Sequence, residues 1–343
     1  MMNKGAKIEI ILLIMIMGNL CLNASAQKKP ALGQLSLERT FPLETGDLFL
    51  SNPTGMQIDE ENNILVIDQK LSAIFKFDSV GNFIRQLGRY GQGPNEFQMP
   101  NSFAYDAGRL YIVDDGNRRV QILDTAGRHL SSFKTYRSLA GIACLNGFIV
   151  AQQNFMPNEW DKFRLLSIID QKGRVVKSFG ESINNVIKIG RLPTDASFAD
   201  IRVFQGKIFI LFRYYPILQV YSKNGDLLET HRLALEQLAP NNYSPKSVLA
   251  KPGRINLRFI FLAFDVNEDG YFICLYKNNL EIIHFDFNGT CLNRYLYKDP
   301  GGDQIYLRDL YVSRRSNGYL FQVLEVLPNP RIEAFASNPS KSK

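Results

Sequence analysis

Six polar residues sit at the ends of predicted second strands in six short sheets. Aligned by their position along those strands, they are Asp68, Asp114, Gln152, Arg213, Lys277 and Glu325. Equivalent positions in repeated sheets place side chains at one level, here near the mouth of a central channel. Carboxylates at such a rim can perform acid–base chemistry or hold a calcium ion, and a mixed rim can bind a polar ligand. The alternative is that these charges form mutual ion pairs that cap the channel, since charges near a dry core are normally paired.

A second set of candidate residues carries planar side chains, which suit stacking on a sugar or peptide or gripping a carboxylate. They are predicted to lie around the rim, and they are Arg89, Tyr90, Arg118, Trp160, Tyr214 and Tyr215. Three long insertions, 154–161, 181–197 and 233–257, are predicted to emerge on the same face. Long loops on a rigid scaffold carry function more often than the scaffold does. The sequence therefore favours a ligand-binding face over irregular padding.

The residue types that usually perform catalysis do not converge in this sequence. His129, His231 and His284 are predicted to lie on third or fourth strands of separate sheets, toward the outside and away from one another. The sequence holds no Gly-x-Ser-x-Gly nucleophile elbow, and its cysteines are typical of core residues. We therefore predict no catalytic residue, no metal site and no cofactor, although the rim carboxylates leave acid–base chemistry open.

A repeated four-residue turn indicates which elements position these side chains. Each copy follows a strand-like run, begins with Asp or Ser and ends with Gly, and the copies are Asp78–Gly81, Asp124–Gly127, Asp170–Gly173, Ser222–Gly225 and Asp286–Gly289. The first three glycines are 46 residues apart. Asp at the first position caps backbone donors, and Gly at the last accepts the left-handed conformation. A period of this size, carried by short strands without helices, is typical of a β-propeller blade.

Strand counting predicts six blades in a closed ring. The five turns account for five blades, and 310–313, 319–324 and 331–336 then offer three strands and no fourth. Leu35–Phe41 is an alternating strand that precedes the first blade and has no partner of its own. We therefore predict an all-β, six-bladed β-propeller of four-stranded antiparallel blades, in which this N-terminal strand completes the last blade and removes its exposed edge.

Two segments in the first two blades carry a resemblance to a known family. Residues 87–100, LGRYGQGPNEFQMP, and residues 110–122, LYIVDDGNRRVQI, resemble the NHL repeat and are similar to the exported bacterial six-bladed propellers related to it. The resemblance implies the fold. It does not imply a function, because propellers of this type serve as binding platforms, signalling modules and enzymes. The amidating lyases that share the repeat need convergent metal-binding histidines, so that activity is not carried over.

The first 26 residues have the pattern of a secretory signal peptide. Two lysines precede an apolar run over 10–17, and Ala24–Ala26 offers the small-x-small motif that signal peptidase cuts. A lipoprotein site at Cys21 is less favoured because the bulky Leu20 precedes it. The apolar run is about half of the roughly 20 residues that a membrane-spanning helix needs. We expect export to the periplasm or the extracellular space, without a membrane span.

Domain organisation and charge narrow the class of partner. We predict one propeller domain over 27–336 and a disordered tail over 337–343. The net charge is +7 and no basic run exceeds two residues, which argues against a nucleic-acid partner. Cys274 and Cys291 are predicted on the second and fourth strands of one blade, about 10 Å apart, which is beyond bridging distance. Cleavage at Ala26 would leave three cysteines, Cys144, Cys274 and Cys291, and this odd count rules out a complete disulfide framework. We expect free, buried thiols.

The favoured interpretation is an exported, monomeric, non-catalytic binding protein that recognises a protein, peptide or glycan through the loop-rich face. The alternative is an uncharacterised hydrolase or lyase that uses carboxylates at the channel mouth. A third hypothesis, nucleic-acid binding, is implied only by intracellular relatives of the repeat, and the predicted signal peptide disfavours it.

Overall fold

The structure is a computed structural model that describes residues 30–42, 49–153, 164–181, 198–233, 261–275, 279–298, 306–327 and 329–337. Strands dominate these ranges, which contain no α-helix and one 3-10 turn at Asp115–Asn117. No helix among the described residues has the length and apolar character that crossing a bilayer requires. The predicted signal peptide and residues 338–343 of the predicted tail lie outside the described ranges.

Six four-stranded antiparallel blades make up the fold. The chain begins with β1 (Ala31–Phe41), which belongs to the last blade. Blade 1 is β2 (Pro53–Ile58), β3 (Ile64–Asp68), β4 (Ala73–Phe77) and β5 (Phe83–Leu87). A short parallel pair, β6 (Arg89–Tyr90) and β7 (Glu96–Phe97), leads to blade 2, which is β8 (Pro100–Asp106), β9 (Arg109–Asp114), β10 (Arg119–Asp124) and β11 (His129–Lys134).

The remaining blades repeat this order. Blade 3 is β12 (Leu139–Leu145), β13 (Phe148–Gln153), β14 (Leu166–Ile169) and β15 (Val175–Phe179). Blade 4 is β16 (Ala199–Phe204), β17 (Lys207–Phe212), β18 (Ile217–Tyr221) and β19 (Leu227–Arg232). Blade 5 is β20 (Phe261–Asn267), β21 (Gly270–Leu275), β22 (Leu280–Phe285) and β23 (Cys291–Tyr297). Blade 6 is β24 (Tyr306–Arg315), β25 (Gly318–Leu327), β26 (Arg331–Ser337) and β1.

The ring closes through β1, as the sequence predicts. β1 pairs antiparallel with β26, and the register runs from Leu35 opposite Ser337 to Phe41 opposite Ile332. β1 also neighbours β23, so blades 5 and 6 are hydrogen-bonded into one eight-stranded sheet. An N-terminal strand that fills the outer position of the last blade covers an edge that would otherwise be open to pairing.

Apolar side chains between the blades form the core. The described residues contain six hydrophobic clusters, and each joins two successive blades. The cluster between blades 6 and 1 includes Leu324, Phe77 and Phe41 from β1. Because burial of apolar surface is the main favourable term in folding, this cluster binds the first and last blades together.

The repeated turns have the predicted geometry. In Asp124–Gly127, the amides of Ala126 and Arg128 donate to Asp124 Oδ1 at 3.0 and 2.8 Å, and Gly127 has φ +84°. The same pattern recurs around Asp78, Asp170 and Asp286, with the hydroxyl of Ser222 as the acceptor in blade 4. The backbone hydrogen bonds that fold the Asp124 carboxylate into the turn hold its pKa below the usual value, and Arg128 adds to the effect.

Each turn glycine also packs against the outer strand of the preceding blade. A Cβ added at the five glycines would lie 2.6–2.9 Å from a side-chain atom of, in turn, Phe41, Leu87, Phe133, Phe179 and His231. The first four of these side chains are 46 residues apart, the same spacing as the first three glycines. Phe41 therefore occupies in blade 6 the position that Leu87 occupies in blade 1, which places β1 in the blade repeat.

Gly225→Ala is expected to destabilise the fold by about 1–3 kcal/mol more than Gly206→Ala, because only the former overpacks its site. The two glycines have nearly equal φ values, +74° and +73°, so the backbone strain is matched. A Cβ at Gly225 would lie 2.7 Å from Phe179 Cγ, whereas one at Gly206 meets nothing within 4 Å. Urea unfolding of both variants measures the difference, and equal losses would contradict the packing role.

The structure adds detail that strand prediction did not supply. The sequence predicts three strands each for blades 3 and 4, at 147–152, 163–169 and 174–179 and at 207–213, 217–221 and 227–232, and the structure adds the inner strands β12 and β16. β26 extends to Ser337, one residue into the predicted tail.

Cys144, Cys274 and Cys291 are free, as predicted, but only Cys274 is buried and the other two are half-buried. Burial raises the pKa of the Cys291 thiol to about 11, so it is protonated at neutral pH.

Candidate functional site

The central channel opens into a cavity at one face of the ring. The first strand of each blade begins at this face and the second strand ends there, so connections from second to third strands and from blade to blade leave from it. We call it the loop-rich face. A cavity of about 320 Å³ lies at this end of the channel. Its lining comes mainly from the beginnings of β2, β8, β12 and β16 and from Arg308 and Asp309 of β24.

Arginine and aspartate side chains dominate the charge of this cavity. Arg213 donates to Asp200 Oδ1 from Nε at 3.1 Å and from Nη2 at 2.5 Å. Arg202 pairs with Asp309 across the channel, and its Nε lies 3.5 Å from Asp265 Oδ1. The contacts of Arg202 join blade 4 to blades 5 and 6, so side chains from distant parts of the sequence meet at the centre of the ring.

Burial and the opposite charges shift the pKa values of this network. Burial acts to lower the pKa of Arg202, but Asp309, Asp265 and Asp200 outweigh it and raise that pKa. Burial raises the pKa of Asp265 to about 6, against the opposing effect of Arg202. The pKa of Arg308 is lowered instead, mainly by burial and then by the positive charge of the nearby Arg213.

Two predicted rim residues, Asp68 and Asp114, are buried and bonded within the fold. Asp68 Oδ2 accepts from the amides of Ser51 and Asn52 at 2.6 and 2.9 Å, and its Oδ1 accepts from the amide of Leu71 at 3.0 Å. Asp114 accepts from Arg119 Nε at 2.7 Å. This placement favours the internally paired alternative for both carboxylates, because their oxygens hold the loops around them.

The other predicted rim residues have different surroundings. Gln152 and Arg213 line the cavity. Glu325 is buried with its Oε2 2.7 Å from Arg331 Nε, away from the cavity lining. Lys277 lies outside the described residues. Of the predicted rim residues, the structure thus brings Gln152 and Arg213 together in the lining of the cavity. A ligand role for the rim is a proposal, and among the described residues it concerns these two.

The predicted aromatic and arginine residues divide between surface and core. Arg89, Tyr90 and Arg118 are exposed on the loops of blades 1 and 2. Tyr214 and Tyr215 are buried in the cluster between blades 3 and 4, so they do not offer their faces to a ligand. Burial raises the pKa of Tyr215 to about 12, and its hydroxyl has no hydrogen-bond partner among the described residues. Trp160 and the insertions 154–161, 182–197 and 234–257 lie outside the described ranges.

Sequence reasoning missed the charged residues of the inner strands. Asp200, Arg202, Arg308 and Asp309 all line the cavity, and none belonged to the predicted rim. In the sequence, these residues could have been noticed as charges within otherwise apolar stretches of strand: Asp200 and Arg202 alternate in β16, and Arg308 and Asp309 are adjacent in β24. Charged residues are unusual in strands at the centre of a ring. That signal depends on recognising β16 as an inner strand.

The described histidines and carboxylates do not assemble into a metal site. No group of three His, Cys, Asp or Glu side chains close enough to hold a metal ion occurs in the described part of the chain. His129, His231 and His284 lie on β11, β19 and β22, in three different blades as predicted. Asp200 and Asp309 are each paired with an arginine, which leaves neither as an obvious base.

Comparison with known proteins agrees with this geometry. Residues 32–156 match a family model described as a 6-bladed beta-propeller, DUF5128. Over 81 residues the chain is 28% identical to human NHL repeat-containing protein 3, an alignment that covers 22% of this chain and 23% of the human protein. The chain resembles the NHL-type six-bladed propellers. The predicted resemblance is thus confirmed in sequence as well as in fold.

Solved structures show the same fold over most of the chain. A Bacteroides fragilis protein provisionally named as exported has a TM-score of 0.60 at 14% identity, covering 89% of this chain and 95% of that one. A DUF4221 family member from Bacteroides vulgatus has a TM-score of 0.57 at 12% identity, with 90% and 99% covered. Virginiamycin B lyase from Staphylococcus aureus has a TM-score of 0.53 at 10% identity, with 88% and 99% covered. At these identities the similarity establishes architecture and leaves activity open.

Proposed function

We propose that this protein is an exported, monomeric, non-catalytic binding protein that recognises a protein, peptide or glycan through the loop-rich face. The observation that carries the proposal is a rigid platform on blades 1 and 2 that presents exposed Tyr90 and Arg118. Tyr90 is 72% exposed. Arg118 is exposed next to the 3-10 turn and adopts the left-handed conformation, with φ +51°.

Asp114 holds this platform from below. Its Oδ1 accepts from the amide of Gln98 at 2.7 Å, and its Oδ2 accepts from Asn117 Nδ2 at 2.8 Å. Asn117 Nδ2 also donates to the carbonyl of Gly91 at 2.9 Å, which links the two loops. Above this network, Gln98 Nε2 lies 3.4 Å from the Tyr90 hydroxyl. Loops fixed in this way present their exposed side chains with little entropy to lose on binding.

The exposed residue types match those that dominate binding interfaces. Tyrosine and arginine are enriched at interface hot spots, because each supplies a planar apolar surface together with hydrogen-bond donors. The amide of Thr135 donates to the Arg118 carbonyl at 2.9 Å, which brings the next residue, Tyr136, close to Arg118, and Tyr136 is also exposed. An exposed cluster of this kind has no role in the core, which supports an interaction role.

Export is supported by the pattern of residues 1–26 and by the fold shared with the B. fragilis protein. Cleavage after Ala26 would leave the ring-closing strand β1 near the new N-terminus. N-terminal sequencing of the protein recovered outside the cytoplasm checks this part of the proposal, and an uncut chain starting at Met1 would contradict it.

Replacing Tyr90 and Arg118 together with alanine is expected to weaken partner binding by at least about tenfold, since hot-spot truncations cost about 2 kcal/mol or more. The measurement is binding of the labelled protein to immobilised glycan and peptide arrays. The control is Val80→Ala with Arg128→Ala, two exposed residues of turns at the opposite face. The proposed face is wrong if the control loses as much signal as the test variant, or if the test variant keeps its signal.

A further inference from the structure

We propose that the cavity at the loop-rich end of the channel binds an acidic sugar, with the carboxylate of a uronic acid residue held by Arg308. The inference rests on the proposed binding function and names the chemical class of its ligand. Three observations carry it: an incompletely neutralised arginine, polar atoms without partners around it, and an open cavity with an exposed aromatic ring at its edge.

Arg308 is a half-buried cation that lacks a carboxylate partner among the described residues. Its Nε donates to the carbonyl of Thr54 at 3.0 Å, and this is its only hydrogen bond in the described part of the chain. A guanidinium carries five N–H donors, so its two terminal nitrogens remain available. Burial, followed by the repulsion of Arg213, lowers the pKa of Arg308. A bound anion would offset both unfavourable effects.

The neighbouring aspartates are committed to other arginines. Asp309 pairs with Arg202, and Asp200 pairs with Arg213. Of the three arginines that line the cavity, Arg202 and Arg213 form ion pairs with aspartates, whereas Arg308 forms none with a described residue. The planar fork of a guanidinium matches a carboxylate, which favours that group over a spherical anion.

Several polar side chains around Arg308 can bind the hydroxyl groups of a sugar. Thr54 Oγ1, Asn101 Oδ1 and Asp200 Oδ2 have no hydrogen-bond partner among the described residues, although all three atoms are buried. Rotation of the Thr54 side chain would turn its hydroxyl toward the cavity that Thr54 lines, whereas the Asn101 amide is held in place by Nδ2, which donates to the Leu139 carbonyl at 3.0 Å. Buried polar atoms are normally satisfied, so a cluster of unsatisfied ones beside a cavity indicates a missing partner.

The size and shape of the cavity suit a single sugar ring. Its volume of about 320 Å³ is at the low end of the range for ligand pockets, roughly 300–1,000 Å³. Phe198 lines the cavity and is 39% exposed, so its ring can pack on the apolar face of a pyranose. A peptide C-terminus would offer the same carboxylate, but a uronic acid ring presents several hydroxyl groups at once and uses more of the polar lining.

Calorimetric titration of the folded wild-type protein with D-galacturonate and D-glucuronate tests the proposal. D-galactose and D-glucose are the neutral controls, and the dipeptide glycyl-alanine tests the peptide source. We expect a uronate to bind and its neutral parent sugar to bind at least about tenfold more weakly, because a hydrogen bond to a charged group contributes roughly 1.5–3 kcal/mol.

Three variants locate the site. Arg308→Met keeps the length of the side chain and should weaken uronate binding by about tenfold or more. Gly141→Leu should block binding while leaving Arg308 in place, because Gly141 lines the cavity and a Cβ there meets no atom within 4 Å. Arg174→Met removes an exposed arginine of a turn far from the channel and should leave binding unchanged.

Binding of neither uronate, equal binding of uronate and neutral sugar, or full binding by the Arg308→Met and Gly141→Leu variants would each overturn the inference. Arg308-dependent binding of glycyl-alanine alone would overturn the sugar assignment. These failures are separable from that of the proposed function, since the Tyr90 and Arg118 variant tests the exposed platform with arrays and leaves the cavity intact.

Discussion

Replacing Asp114 with alanine is expected to lower the free energy of unfolding by about 3–5 kcal/mol, the usual cost of removing one partner of a buried ion pair. Asp114 is fully buried, and it accepts from Arg119 Nε at 2.7 Å. Its carboxylate also accepts from Asn117, from Gln121 at 3.2 Å and from the amide of Gln98. Truncation leaves these donors without their acceptor and the half-buried guanidinium without its counter-charge.

Urea unfolding followed by far-UV circular dichroism measures this loss. Asp114→Asn is the intermediate case, because an amide keeps one acceptor oxygen but cannot neutralise Arg119. The matched control is Asp226→Ala, which removes an exposed aspartate paired with Lys177 on the outside of the ring. Exposed pairs of this kind contribute little. Similar unfolding midpoints for the Asp114→Ala and Asp226→Ala variants would show that Asp114 is not a structural centre of blade 2.

The Asp114 network also separates stability from binding. The same carboxylate positions the loops that present Tyr90 and Arg118, so its loss is expected to weaken both folding and recognition. The Tyr90 and Arg118 side chains make few contacts within the fold, so their loss should affect recognition alone. Comparison of the Asp114 variants with the Tyr90 and Arg118 variant therefore distinguishes residues that contact the ligand from a residue that only positions them.

The fold could be predicted because its signals are local and repeated. The residue types of each Asp-x-x-Gly turn predict the geometry of that turn, and the 46-residue spacing of Gly81, Gly127 and Gly173 gives the length of a blade. The same spacing separates Phe41 from Leu87, and this could have placed β1 in its blade from the sequence alone. Phe41 packs against Gly81 as each later outer-strand residue packs against the turn glycine of the next blade, and this explains why the first outer-strand residues and the first turn glycines share a spacing of 46 residues.

The site was harder to predict because its contacts are distant in sequence. Arg202 and Asp309 are 107 residues apart, and no local pattern links them. Alignment of second strands put Asp68 and Asp114 at equivalent strand ends. It could not show that nearby backbone amides and, for Asp114, neighbouring side chains donate to their oxygens. Tyr214 and Tyr215 follow a buried strand in a short connection, and the cluster shared with blade 3 buries both rings.

Phe41→Ala is expected to cost about 3–5 kcal/mol, the range for removal of a buried phenylalanine side chain. Phe41 is 3% exposed and lies opposite Ile332 in the closing pair of strands. Its ring centre is 5.8 Å from that of Phe77 in blade 1, so it fastens the last blade to the first.

Leu37→Ala is the matched control, because it truncates an apolar residue of the same strand that is 39% exposed. Its expected cost is below about 1 kcal/mol, since it removes little buried area. Urea unfolding of the two variants compares them directly. A small loss for Phe41→Ala would mean that pairing of β1 with β26 closes the ring without help from the side chain. A large loss confined to Phe41→Ala would mean that closure depends on packing between blades, because both variants keep every backbone hydrogen bond of the strand.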